Sequence, residues 1–142
     1  MTKKSKTRKG LTRQQKRDLD IEIGFLEGVV RRDPVYVEAL YVLGDNYTRR
    51  GKFHEGLRID ESLAVLRPTD SVVHYNLACS YSLTDQFDRT LEALENAISC
   101  GYRDFKWLAE DPDLEGFRAQ EGYVKIKRLI RILKANGKAG DE

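Results

Sequence analysis

Residues 37–68 read VEALYVLGDNYTRRGKFHEGLRIDESLAVLRP, and residues 71–102 echo them. Thirty-four residues separate Tyr41 from Tyr75, Leu43 from Leu77, Tyr47 from Tyr81, Phe53 from Phe87 and Leu57 from Leu91. A repeat of that length predicts stacked helical hairpins, because a single hairpin cannot bury its apolar face alone. Within 37–50, Leu40, Leu43, Gly44 and Tyr47 fall at i, i+3, i+4 and i+7, which places them on one helical face. Gly44 and Ala78 are the small members of their stripes and leave room for a neighbouring helix. Gly51 suits a left-handed C-terminal cap, Phe53 follows it as a plug, and Leu57, Ile59, Leu63 and Leu66 mark a second helix that Pro68 ends.

The pattern Leu43-Gly44-x-x-Tyr47, then Gly51, Phe53 and Pro68, resembles the tetratricopeptide repeat, or TPR. The second copy keeps Leu77, Ala78, Tyr81, Phe87, Leu91, Leu94, Ala97 and Ile98. It departs at Asp85, where the family prefers glycine, and at Tyr102, where the first copy has Pro68. His74 and Leu40 replace the family's usual tryptophan. Gly56, Asp60 and Leu63 replace its usual alanine, aromatic and alanine. The resemblance implies an all-α, right-handed superhelix of antiparallel helix pairs with capping helices at both ends.

Thr12 is a candidate N-cap for a helix to residue 32. Shifted by one repeat, Leu19 falls on Phe53, Ile23 on Leu57, Phe25 on Ile59 and Pro34 on Pro68, so this helix resembles the second half of a TPR. Gly24 and Gly28 weaken it by about 1 kcal/mol each relative to alanine, and their spacing can mark a close helix contact. After Gly101 the period fails. The run Asp104, Leu108, Asp111-Pro112-Asp113-Leu114, Phe117-Arg118, Tyr123 resembles the closing segment that follows the last repeat in many bacterial TPR proteins. Pro112 suits a first helical position, with Asp111 and Asp113 as caps. The domain reading is a disordered basic tail at 1–11, then a TPR domain over 12–135. That domain comprises a half-repeat helix 12–32, repeats 37–68 and 71–102, and closing helices 104–135. A frayed tail follows at 136–142. With fewer than three full repeats, the helix at 13–32 and the segment 104–133 are expected to be required for folding.

A chain of 142 residues predicts one domain. The net charge of +2 hides a segregation: eight bases and no acid in 1–17, eleven bases and twenty-one acids in 18–122, and six bases and two acids in 123–142. Cys79 and Cys100 fall on predicted helices and read as reduced thiols in a cytoplasmic protein. The basic N-terminus lacks the apolar run of a signal peptide, and no stretch has the roughly 18 apolar residues of a membrane span. The last helix, about 121–135, sets Ile126, Leu129, Ile130 and Leu133 on one side. Lys127, Arg128, Arg131 and Lys134 lie elsewhere, as in a terminal helix with one face docked, or in a membrane- or partner-binding element.

No catalytic residues, metal ligands or cofactor are expected. His74 and Cys79 do not share a helical face, no Cys/His cluster has zinc spacing, and no glycine-rich phosphate loop is present. The acids Glu110, Asp111, Asp113 and Glu115 lack the ladder of a calcium loop and read as caps and solvated charge.

The expected function is protein–protein interaction, as an adaptor or scaffold that binds a peptide or helix of a partner. The resemblance implies a concave groove lined by the first helix of each hairpin. Carried over residue by residue, it is built from Tyr41, Asp45, Thr48 and Arg49 and from Tyr75, Asn76, Cys79 and Ser82. Helix packing is the competing role for Tyr41 and Tyr75. Capture of a chaperone's acidic C-terminus is disfavoured, since only Asn76 fits that function. The alternatives are a nucleic-acid- or ribosome-associated protein using the basic arm at 1–17, and a chaperone for secreted effectors.

Overall fold

The computed structural model describes residues 10–140, which form eight α-helices and one 3-10 turn, with no strand among them. In order these are α1 (Arg13–Arg32), α2 (Val37–Arg49), α3 (Phe53–Leu66), α4 (Ser71–Leu83), α5 (Phe87–Ser99), α6 (Phe105–Glu110), the 3-10 turn Pro112–Leu114, α7 (Glu115–Arg118) and α8 (Gly122–Gly140). The protein is an all-α helical repeat. The basic tail expected at 1–11 falls mostly on residues 1–9, which lie outside the described residues, as do 141 and 142.

Thr12 starts α1 with reciprocal bonds: the Gln15 amide donates to Thr12 Oγ1 at 3.1 Å, and the Thr12 amide donates to Gln15 Oε1 at 2.9 Å. Both exchanges satisfy amides that a helix start would otherwise leave unpaired. The hairpin helices end in a recurring way. Lys52 N donates to Tyr47 O, Gln86 N to Tyr81 O and Tyr102 N to Ala97 O, each at 2.8–2.9 Å. These are the wide bonds of a Schellman turn, which needs a left-handed residue just past the helix. Gly51 (φ 84°) and Gly101 (φ 109°) supply it without cost, whereas Asp85 adopts φ 58° with a side chain attached.

Helices pack in sequence order: α1 on α2, α2 on α3, α3 on α4 and α4 on α5. Leu43, Tyr47, Leu77, Ala78 and Ala97 are buried, Phe53, Tyr81 and Phe87 are half-buried, and Gly51 and Pro68 sit in exposed turns. The glycines of the first hairpin set its closest approach. A Cβ on Gly44 would lie 3.1 Å from Ile59 Cγ2, and one on Gly56 would lie 2.9 Å from Thr48 Oγ1. Thr48 is fixed there, donating to Gly44 O at 3.1 Å. Thr48 therefore occupies the place that an alanine methyl at position 56 would need.

The repeat also extends to α1. Tyr47 donates its hydroxyl to Glu27, and Tyr81 donates to Glu61, a spacing of twenty residues both times. Glu27 and Glu61 are themselves one repeat apart.

The C-terminus differs from the expected frayed tail. Residues 136–140 continue α8 as helix. Lysine and alanine on either side of Asn136 and Gly137 favour helix enough to carry it through. No helix among the described residues is long and apolar enough to cross a membrane.

Candidate partner-binding face

The inner faces of α2 and α4 are related by the repeat yet have different fates. On α2, Glu38, Val42 and Arg49 are exposed, and Tyr41 and Asp45 are half-buried. Val42 keeps 43 % of its surface in solvent. Tyr41 Oη donates to Asp70 Oδ2 at 3.0 Å, while Asp70 Oδ1 caps α4 by accepting from Val72 N and Val73 N. Burial first, and then the bond to Asp70, push the Tyr41 phenol up to about 12, so at neutral pH it stays a donor. Tyr41 thus ties α2 to the start of α4 and still shows an edge to solvent.

On α4 the corresponding positions are closed. The 3-10 turn and α7 pack directly on α4, bringing Asp111, Leu114 and Phe117 to full burial. Tyr75 Oη donates to Asp111 Oδ2 at 2.6 Å, and the Cys79 thiol donates to the same oxygen at 3.6 Å. Asp111 Oδ1 accepts from Asp113 N at 2.9 Å, which shapes the turn into Pro112. The Tyr75 ring lies flat on Tyr102, with centroids 4.2 Å apart and planes 5° from parallel. Arg118 holds the segment in place, donating to the carbonyls of Leu108 and Asp111 at 3.0 and 2.7 Å.

This corrects the groove expected from register. Tyr75, Asn76, Cys79 and Ser82 are buried, and so is Thr48. Thr48 is turned to the α2–α3 contact, Tyr75 and Cys79 are bonded to Asp111 of the closing segment, and Ser82 lies near Gly116. Of the expected groove residues, Tyr41, Asp45 and Arg49 keep exposure on α2, where Glu38 and Val42 accompany them. Val42 was not singled out by sequence, although its register partner Asn76 was. Trp107 and Arg118, which help build the closed half, carry no repeat signal because they follow the last full period, and Tyr102 shows only as a departure from Pro68 in the first copy.

Cys79, Asp111 and Asp113 are all buried and bring one ligand atom each within 4.8 Å of one another. The carboxylate of Asp111 is already matched by a phenol, a thiol and an amide, so hydrogen bonding accounts for the arrangement. Glu110 and Glu115, the other acids of that run, point to solvent.

No family model matches the chain. The chain is 41 % identical over 83 residues to a chloroplastic protein of Arabidopsis thaliana, a match covering 56 % of this chain and 25 % of that protein. It is 32 % identical over 107 residues to the peroxisomal targeting signal receptors of Komagataella phaffii and Komagataella pastoris, covering 73 % of this chain and 18 % of each receptor. The chain therefore spans a quarter or less of these curated relatives. Its helical architecture and its 34-residue period fit a TPR-like helical repeat.

Proposed function

We propose that this chain is a protein-binding module that takes a segment of another polypeptide along α2, with Glu38, Tyr41, Val42, Asp45 and Arg49 in contact. The observation that carries the reading is the contrast between the two inner faces. One repeat further on, the same face already holds polypeptide, namely the chain's own 111–118 segment. On α2 the corresponding face keeps Glu38, Val42 and Arg49 exposed. Val42 and the Tyr41 edge offer apolar area, and the exposed Glu38 offers a carboxylate, so the fitting segment has an apolar residue next to a lysine or arginine. Two matched relatives are named as receptors for a targeting signal, which supports polypeptide recognition as the class of function.

The test is selection from a displayed random-peptide library on the full chain. Recovered peptides should share an apolar residue next to basic ones. Val42→Glu should weaken them about tenfold or more, equivalent to ~1.4 kcal/mol. Val65→Glu, on an exposed position of α3, should leave binding unchanged. Peptides that bind equally to the Val42 variant would reject this face.

A further inference from the structure

α8 packs on α5 and α7 through the fully buried Ile126 and the half-buried Leu129, Ile130 and Leu133. The rest of its circumference carries one sign of charge. Residues 122–140 contain Lys125, Lys127, Arg128, Arg131, Lys134 and Lys138 and no acid. Among the described helices α8 alone carries bases without an acid. Acids return in the sequence at Glu121 before it and Asp141 after it.

Lys125, Lys127, Arg128, Arg131 and Lys134 are all exposed. The helices beneath them carry Asp88, Glu92, Glu95 and Glu115, yet none of these five cations forms an ion pair among the described residues. Lys127 Nζ lies 5.1 Å from the centre of the Tyr123 ring, a contact that leaves its charge in solvent. Two aliphatic side chains stand within this cationic face: Val124 and Ile132 are 50 % and 51 % exposed. At about 100° per residue, Arg128 falls between them, Lys127, Arg131 and Lys134 run along one edge, and Lys125 borders the other.

We propose that this face of α8 rests on an anionic lipid bilayer, with its cations among the headgroups and Val124 and Ile132 at the headgroup–acyl boundary. Clusters of about four to eight bases on an amphipathic helix recognise anionic headgroups, and aliphatic side chains add area buried at the interface. From Val124 to Lys134 the face extends about 15 Å, so it lies along the surface and does not cross it. The two aliphatics favour lipid over other polyanions. Against a phosphate backbone or a row of carboxylates they would bury little, whereas a bilayer gives them an apolar layer to enter. The single aromatic of α8, Tyr123, offers nucleic-acid bases no stacking platform, because it is half-buried with the Phe117 ring against it at 6.1 Å.

Co-sedimentation of the full chain with vesicles tests this. Phosphatidylcholine vesicles containing one-third phosphatidylglycerol should bind it, and pure phosphatidylcholine should not. Salt raised from about 20 to about 500 mM should release it, because exposed charges are screened. Arg128→Gln with Arg131→Gln should lower the partition coefficient about tenfold or more. Val124→Gln with Ile132→Gln, which changes no charge, should lower it about threefold. The N-terminal bases also attract anionic lipid, so Lys3→Gln with Lys4→Gln and Lys6→Gln is the control. Binding by that variant should still depend on Val124 and Ile132. Val42→Gln on α2 should leave partition unchanged, so this surface and the α2 face are tested separately. The substituted α8 side chains are exposed, and circular dichroism must match the parent; Arg131→Gln with Lys134→Gln replaces a variant that loses helix. Absent binding, equal binding to both lipids, or binding that the α8 substitutions leave unchanged overturns the proposal. So does retention on a duplex oligonucleotide or polyglutamate at a salt concentration that releases the vesicles.

Discussion

The Tyr75 hydroxyl donates to Asp111, thirty-six residues away, although the repeat places a different acid in register. Tyr41 donates to Asp70, and both shift by one period onto Tyr75 and Asp104. Asp104 is present and caps α6 through Trp107 N at 3.2 Å, as Asp70 caps α4. The closing segment has substituted its own carboxylate for the register partner. The last hairpin thus buries Tyr75 and Cys79 against the chain itself, and the first hairpin leaves Glu38, Val42 and Arg49 exposed and Tyr41 half-buried.

That bond should be energetically coupled to its surroundings. Asp111→Ala leaves the buried Tyr75 hydroxyl without its acceptor and should cost about 1–3 kcal/mol in urea unfolding. Tyr75→Phe should cost about 1 kcal/mol. The double variant should lose less than the sum, with a coupling above roughly 0.5 kcal/mol. Additive losses would mean that the two groups stabilise the fold independently.

Gly56→Ala should destabilise even though alanine is the better helix former. About 1 kcal/mol of helix propensity is gained, but the added methyl meets Thr48 Oγ1 at 2.9 Å, and overpacking costs about 1–3 kcal/mol. Pairing it with Thr48→Ala removes the obstacle, so the double variant should be more stable than Gly56→Ala alone. Thermal melts of the three proteins decide the matter.

The two hairpin turns should respond with opposite sign. Gly51→Ala forces a side chain into a left-handed conformation and should cost about 1–2 kcal/mol. Asp85→Gly relieves that strain, offset in part by the glycine's greater unfolded freedom, and should gain roughly 0.5 kcal/mol. A destabilised Asp85→Gly would show that the aspartate makes a compensating interaction in its turn.

Alkaline pH should unfold the protein through its tyrosines. Burial, followed by the neighbouring groups of Cys79 and Asp111, holds the Tyr75 phenol well above its ordinary value near 10. Tyr41 is raised to about 12. Above pH 10 the unfolded chain releases these protons and the folded one retains them, so stability is full below pH 10 and falls as pH rises further. Melting temperature should therefore be level from neutral pH to about 9 and drop beyond 10. Tyr75→Phe should flatten that drop.

Much of the architecture is legible from spacing. The period of 34 assigns the hairpins, Thr12 marks the first helix start, and Gly51 and Gly101 mark helix ends, because caps and turns depend on a few neighbouring residues. Asp85 stands out as a departure from the repeat, and the structure gives it the positive φ that glycine adopts in the other two turns. The candidate site is legible only in part. Register identifies the faces of α2 and α4 equally well and cannot tell them apart.

The amino-acid order alone determined the repeated helices, their apolar stripes and the acidic body between basic ends, since all of these follow from local periodicity and composition. Tertiary structure alone decided which face stays open. The segment 111–118 has no period to follow. Its landing place depends on long-range fit: a carboxylate reaching a phenol, Leu114 and Phe117 filling the space beside α4, and Arg118 holding two carbonyls.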